Sequence, residues 1–313
     1  MLRYLTPFSA IFVLFGTSLL AQEFKTDTSE ELTREEKIAE LFEGAMSAIP
    51  KSPDFDRTRG QVEFLAENGE YMKGEHFGRW NWPEFSPNRW GMYNVEVTYV
   101  SLTPKMGIQF FVGQAKSKGY VPQSGGMTEE HTTEISRIYL PDTKPKTAGI
   151  LTGDDSNGPG FKLRKITLTP GPEGDMSAQA IDGHIELTAS NATTFSEKMR
   201  YEPKPEKNCL GFWTEVDDWA EWKFSVHDGG KFLVEVVYGC GNGNEGSEMG
   251  VWFDLHEMSF TVEDTGGFQN WKTVKLDTID VSKGRHIMTV KPKSKAAKAV
   301  ADIHKIILTP VAQ

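Results

Sequence analysis

The chain is short of cysteine, of basic charge and, past its N-terminal stretch, of long apolar runs. Lys and Arg number 34 against 44 Asp and Glu, a net charge of −10 at pH 7. That balance excludes a non-specific binder of nucleic acid or of anionic membranes, which needs a basic face. There is no G-x-S-x-G nucleophile elbow, no H-E-x-x-H, and no glycine-rich phosphate loop between a strand and a helix. Neither cysteine has the C/S-x-P-x-R setting of a sulfatase nucleophile. Cys209 is followed by Leu210-Gly211-Phe212 and Cys240 by Gly241-Asn242-Gly243. The 7 histidines are scattered, and none pairs at helical metal spacing. These absences argue against an enzyme.

The 313 residues are 38% hydrophobic and 25% charged, which suffices for two ordinary domains, each with its own core. Residues 1–21 read as an export signal: Arg3 supplies charge, Ile11 to Phe15 the apolar centre, and Leu19-Leu20-Ala21 the cut. The apolar run falls short of the ~20 residues a membrane span needs. The mature protein is expected to be secreted or periplasmic, with no membrane span after cleavage. Export makes a Cys209–Cys240 disulfide possible, closing a 31-residue loop worth roughly 3–4 kcal/mol. Two buried thiols on neighbouring strands are the other reading.

One strand pattern occurs twice. Lys165-Ile166-Thr167-Leu168-Thr169-Pro170 is echoed 140 residues later by Lys305-Ile306-Ile307-Leu308-Thr309-Pro310. Val62 to Asn68 resembles Ile185 to Asn191, and Gly91 to Tyr99 resembles Gly230 to Tyr238. Three landmarks in one order indicate a diverged tandem duplication of one β-domain. The expected organisation is a helix (Ser29–Ala48) and linker over 22–60, a first β-sandwich over 61–170, a linker over 171–177 and a second sandwich over 178–313. Gln114 to His131, polar and glycine-rich, reads as a long loop. In the second block Trp219, Trp222, Phe224 and Val226, then Phe232, Val234, Val236 and Tyr238, alternate as strands about an Asp228-Gly229-Gly230 turn.

Three stretches of the second block carry a family resemblance: Leu210-Gly211-Phe212 followed by Asp217-Asp218-Trp219-Ala220-Glu221-Trp222; Gly230-Lys231-Phe232; and Thr265-Gly266-Gly267-Phe268-Gln269-Asn270-Trp271. They resemble carbohydrate-binding modules of family 6 and their galactose-binding-like jelly-roll relatives. The block is also similar to the module appended to exported bacterial sulfatases and α-L-fucosidases. The resemblance implies an all-β protein of two tandem jelly rolls.

It also implies a sugar site. Phe268 falls at the aromatic platform, Tyr201 or Trp213 at the second ring, and Asp302 at the polar ligand of the last strand, where asparagine is usual. Asn270 and Glu202 are further hydrogen-bonding candidates. Trp271, Trp219 and Trp222 are expected in the core. The relatives often hold a structural calcium, for which Glu186 and Asp302 are the natural carboxylates. The first block has no such signature: it reads Gly125-Gly126-Met127, without a ring, and Trp80, Trp82 and Trp90 are its aromatic candidates. The expected function is non-catalytic binding of a polysaccharide, sulfated or fucosylated by association with the enzymes that carry similar modules. The alternative is an interaction module docking onto an exported enzyme or a cell-surface assembly.

Overall fold

The computed structural model describes residues 51–73, 78–153 and 160–311. The export signal, the Ser29–Ala48 helix and most of the Gly153–Gly160 turn lie outside them. No helix among the described residues is long and apolar enough to cross a membrane.

Nine strands follow the first linker: β1 (Val62–Leu65), β2 (Glu70–Lys73), β3 (Gly78–Phe85), β4 (Gly91–Ser101), β5 (Lys105–Val112), β6 (Ala115–Pro122), β7 (His131–Leu140), β8 (Lys146–Thr152) and β9 (Phe161–Pro170). They form one sheet in the order β1-β9-β4-β7 and a second in the order β2-β3-β8-β5-β6. Phe64, Trp82, Tyr93, Val95, Val97, Phe110, Ile150, Ile166 and Leu168 are buried between them. Ala115–Pro122, expected within a long loop, is an edge strand. Its lysines at 116 and 118 point outward while Ser117 and Val121 are buried, the charged edge that discourages further pairing.

Twelve strands make the second sandwich: β10 (Ser177–Ala178), β11 (Ile185–Thr188), β12 (Thr193–Phe195), β13 (Arg200–Glu202), β14 (Cys209–Gly211), β15 (Trp219–Val226), β16 (Gly230–Cys240), β17 (Glu248–Phe253), β18 (His256–Thr261), β19 (Gly267–Val281), β20 (Gly284–Ser294) and β21 (Asp302–Pro310). One sheet runs β10-β15-β20-β17-β18 with β12 beside β15. The other runs β13-β14-β21-β16-β19 with β11 beside β21.

The duplication extends to register. Val62 faces Leu168 and Leu168 faces Val95; at the matching positions Ile185 faces Leu308 and Leu308 faces Val234. Both copies slip their register at one place, between Thr98 and Tyr99 and between Val237 and Tyr238. The indoles of Trp82 and Trp222 each donate to the carbonyl that ends the first strand, at Leu65 (3.0 Å) and Thr188 (2.8 Å). Trp80, Trp82 and Trp222 are therefore core residues.

Arg89 and Arg200 help join the sandwiches. Arg89, buried, donates to Thr194 Oγ1 (2.5 Å) and to the Met199 carbonyl (2.5 Å). Trp90 and Phe212 hold the Arg200 guanidinium between them, 3.3 and 3.6 Å from the ring centroids. Burial pulls that guanidinium down to about 10, against the pull of Glu202.

Residues 51–60, expected as a linker, pack on the second sandwich instead. Phe55 meets Trp219 and Trp252 edge-on at 5.5 and 5.2 Å, and Trp219 stacks on Phe195 at 3.9 Å. Trp219 thus lies on the outer side of its sheet, buried by this strap and not in the core as expected. It is three residues from Trp222, and an odd spacing puts the two on opposite faces. Arg59 Nε lies 2.5 Å from Asp218 Oδ1, and Arg57 pairs with Glu221 at 2.6 Å; both acids are buried. Removing one partner of a buried pair strands the other charge. Arg59→Gln is expected to lower stability by about 3 kcal/mol in urea unfolding. Adding Asp218→Asn should recover most of the loss; no recovery would mean that the pair is not what anchors the strap.

Candidate functional site

The Thr265-Gly266-Gly267 run shapes one corner. The Thr265 hydroxyl accepts from the Cys240 amide (2.9 Å) and donates to the carbonyls of Cys240 (3.1 Å) and Gly267 (2.9 Å). Gly266 adopts φ +81, which favours glycine. β19 then bulges against β16: Cys240 faces Gly267, but Tyr238 faces Lys272. The extra residues, Phe268 to Trp271, fold over β16. The Phe268 ring lies on Gly241, where a Cβ would sit 2.9 Å from it, and Trp271 covers Gly239. Phe268 is half-buried, while Gln269 and Asn270 are exposed.

Next along the outer face comes β21. Asp302 is flanked by Gly239 on β16, and its other neighbour by register is Gly211, because Leu210 faces Ile303. Glu202 on β13 faces Cys209 on β14. Glu202, Cys209 and Asp302 are all buried, and one ligand atom from each lies within 4.8 Å of the others. Asp302 Oδ2 accepts from Gln269 Nε2 (3.1 Å) and from the Cys209 thiol (3.5 Å). Lys207 Nζ pairs with Glu202 Oε1 at 2.7 Å. Burial pushes the Asp302 carboxyl up to about 7, with Glu202 adding to the rise. Burial and the neighbouring Asp302 push the Cys209 thiol up as well.

β14 is held between two residues in the left-handed region, Asn208 (φ 44) and Phe212 (φ 59). For Phe212 this conformation costs on the order of 1–2 kcal/mol. The residue is 43% exposed, and its ring lies against Arg200 with Lys207 Nζ 5.8 Å from its centroid.

The sequence-derived candidates divide. Phe268, Glu202 and Asp302 come to this face. Asn270 is on the same bulge, exposed beside Gly266. Tyr201 does not join them: it packs on the core side and its hydroxyl donates to Asn208 Oδ1 (2.7 Å), because its neighbours Arg200 and Glu202 take the outer face. Trp213 is 1% exposed, a core residue whose indole donates to the Asp218 carbonyl, and no ring stacks on it from solvent. Trp271, expected in the core, is half-buried on the outer face and stacks on His304 at 4.8 Å. Trp90 belongs to the seam between the sandwiches.

The calcium pair fails. Glu186 faces Ile307, five residues along β21 from Asp302, about 16 Å at strand rise. Its carboxylate is exposed and paired with Lys305 at 2.7 Å. Cys209 and Cys240 are free thiols. β21 lies between their strands, putting them at least about 9–10 Å apart, too far for a disulfide.

Sequence reasoning missed Cys209, Gln269, Lys207 and Phe212. Phe212 stood in the quoted glycine-aromatic stretch. Cys209 could have been found from alternation with Gly211, had the partner of β14 been known.

Among the described residues, the first sandwich has no counterpart of β13 and β14 in the matching sheet. At the positions of Asp302 and Gly239 it carries Lys162 and Val100, which face each other. The carboxylate and the open glycine are both absent there.

No protein-family model matches the sequence, nor does any curated protein. Solved structures similar to the chain include carbohydrate-binding modules of families 6 and 35. One is the C-terminal family 6 module of a marine laminarinase from Zobellia galactanivorans, at 20% identity and TM-score 0.34, covering 40% of this chain and 98% of that one. A second is a family 6 module of a Cellvibrio mixtus lichenase in complex with cellotriose, at 16% and 0.32, covering 41% and 97%. A third is a family 35 module from Cellvibrio japonicus, at 12% and 0.33, covering 41% and 94%.

An acid with a raised native pKa binds its proton more readily folded than unfolded. Asp302 should therefore lower stability progressively as pH rises from about 4 to about 7, by up to about 1.4 kcal/mol per pH unit. Asp302→Asn is expected to flatten that part of the stability profile in denaturant titrations. An unchanged profile would place the carboxyl in contact with water.

Proposed function

We propose that the protein is an exported, non-catalytic carbohydrate-binding protein, with its binding face on the second sandwich around Phe268. The observation that carries this reading is the Phe268–Trp271 bulge: a half-buried ring beside exposed amides and next to buried carboxylates. A sugar offers an apolar C–H face and hydroxyl edges, and such a site offers a ring for the first and polar groups for the second. Phe268 packs on Gly241, which fixes the ring before a ligand arrives. Pre-ordering reduces the entropy lost on binding. Gln269, already bonded to Asp302, and Asn270 are the groups that would meet hydroxyls. The Lys162 and Val100 pair leaves the first sandwich as a support for the second, not as a second site of the same kind.

Phe268→Ala should weaken retention on a polysaccharide affinity gel about tenfold, the loss of roughly one stacking contact, while circular dichroism stays unchanged. Sulfated and fucosylated polysaccharides belong on the panel. Equal retention of the variant would move the site elsewhere. No retention of the wild type across a broad panel would favour the reading of an interaction module that docks onto an exported enzyme.

One observation favours a second reading. Glu202 and Asp302 are paired buried carboxylates, and one of them has a raised pKa, the combination from which glycosidases draw an acid and a partner. They lie side by side over one glycine instead of flanking a cleft. Release of reducing ends from a retained polysaccharide, lost in Asp302→Asn, would establish this reading over simple binding.

A further inference from the structure

We infer that Glu202, Cys209 and Asp302 form a binding site for a thiophilic divalent cation of the zinc class. The three residues are 7%, 0% and 6% exposed, and they come from three adjacent strands, β13, β14 and β21. Their ligand atoms lie within 4.8 Å of one another. For a tetrahedral zinc, with sulfur at about 2.3 Å and oxygen at about 2.0 Å, the sulfur–oxygen edge is about 3.5 Å. The Cys209 Sγ to Asp302 Oδ2 separation is 3.5 Å, so that edge is already set. Glu202, whose ligand atom lies within 4.8 Å of the other two, closes the triangle by a side-chain adjustment.

A second feature is the opening at Gly211. A Cβ there would lie 2.3 Å from Glu202 Oε2 and 3.4 Å from Asp302 Oδ1, so both carboxylates reach over the bare glycine. Neither oxygen accepts a hydrogen bond among the described residues, and neither is sealed from solvent, so both are free to take an ion. Lys207 holds Glu202 Oε1, which leaves Oε2 for the ion, and Gln269 donates to Asp302 Oδ2, the same oxygen that forms the edge with Cys209, and orients it as an outer-shell partner does.

The donor set selects the ion. Calcium takes oxygen ligands and six to eight of them. One thiolate with two carboxylates suits zinc, or cobalt in its place, and leaves the fourth position to water. The cation replaces the thiol proton of Cys209. This site stands whether or not the neighbouring bulge takes sugar, and its test contains no sugar.

Cobalt(II) added to the reduced mature protein should give a thiolate-to-cobalt charge-transfer band that saturates at one metal per chain and is displaced by zinc. The band should persist in Cys240→Ser and vanish in Cys209→Ser. Gly211→Ala, which fills the cradle, should weaken zinc binding at least about tenfold. If Cys209→Ser does not fold, Glu202→Gln and Asp302→Asn carry the same test through the same loss of affinity. A folded, reduced protein with no band at millimolar cobalt, or a band that follows Cys240, would overturn the site.

Discussion

The site depends on one register slip. Side chains on a strand alternate, so a single extra residue turns every later one to the other face. The slip beside Val237 and Tyr238 lets Ile306 and Leu308 face the core and still brings Ile303 to the core side. Asp302 is thereby delivered to the outer face, beside Gly239, while Cys240 faces inward by plain alternation with Tyr238 on β16. Without the slip the core would receive either a carboxylate or a gap. The slip sets the outward position; what distinguishes the second sandwich is what stands there: a carboxylate, the glycines around it, and the bulge of β19 that folds over them.

The first sandwich keeps the same slip and makes nothing comparable of it. Lys162 takes the Asp302 position, and no strand among the described residues adds beyond β9 in the manner of β13 and β14. The copies have diverged in side chains and edge strands while holding the register of their central strands. Their connection is also specific. Arg89 sinks into the second sandwich, Arg200 is clasped between Trp90 and Phe212, and the 51–60 strap reaches Trp219. Phe212 belongs both to this seam and to the edge of the site, so the two sandwiches meet next to the carboxylates.

Much of the fold was legible in the sequence, because alternation and repetition are local signals. Lys165 to Pro170 and Lys305 to Pro310 give the duplication directly, and the jelly-roll resemblance rests on residues that fall at the matching strands. The site was legible only in part. Phe268, Glu202 and Asp302 do share one outer face, whereas Tyr201 and Trp213 turn to the core; nothing local tells which face of the three-residue strand that carries Tyr201 meets the core. Glu186 and Asp302 were joined without knowing that β11 and β14 pair with different ends of β21. The strap was missed because its apolar content is one ring, Phe55, whose partners lie more than 160 residues away. β6 was missed because a lysine- and glycine-rich edge strand has the composition of a loop.

In the function proposed above, the outer face around Phe268 and Asp302 meets a glycan. Amide chemical-shift mapping of the labelled mature chain, titrated with a polysaccharide-derived oligosaccharide that it retains, tests this most directly. The account predicts that the shifts gather at Gly211, Phe212, Gly239, Gly241, Asp302 and the Phe268–Trp271 bulge. Shifts gathered on the first sandwich, or around Trp219 and Trp252 beneath the strap, would contradict it.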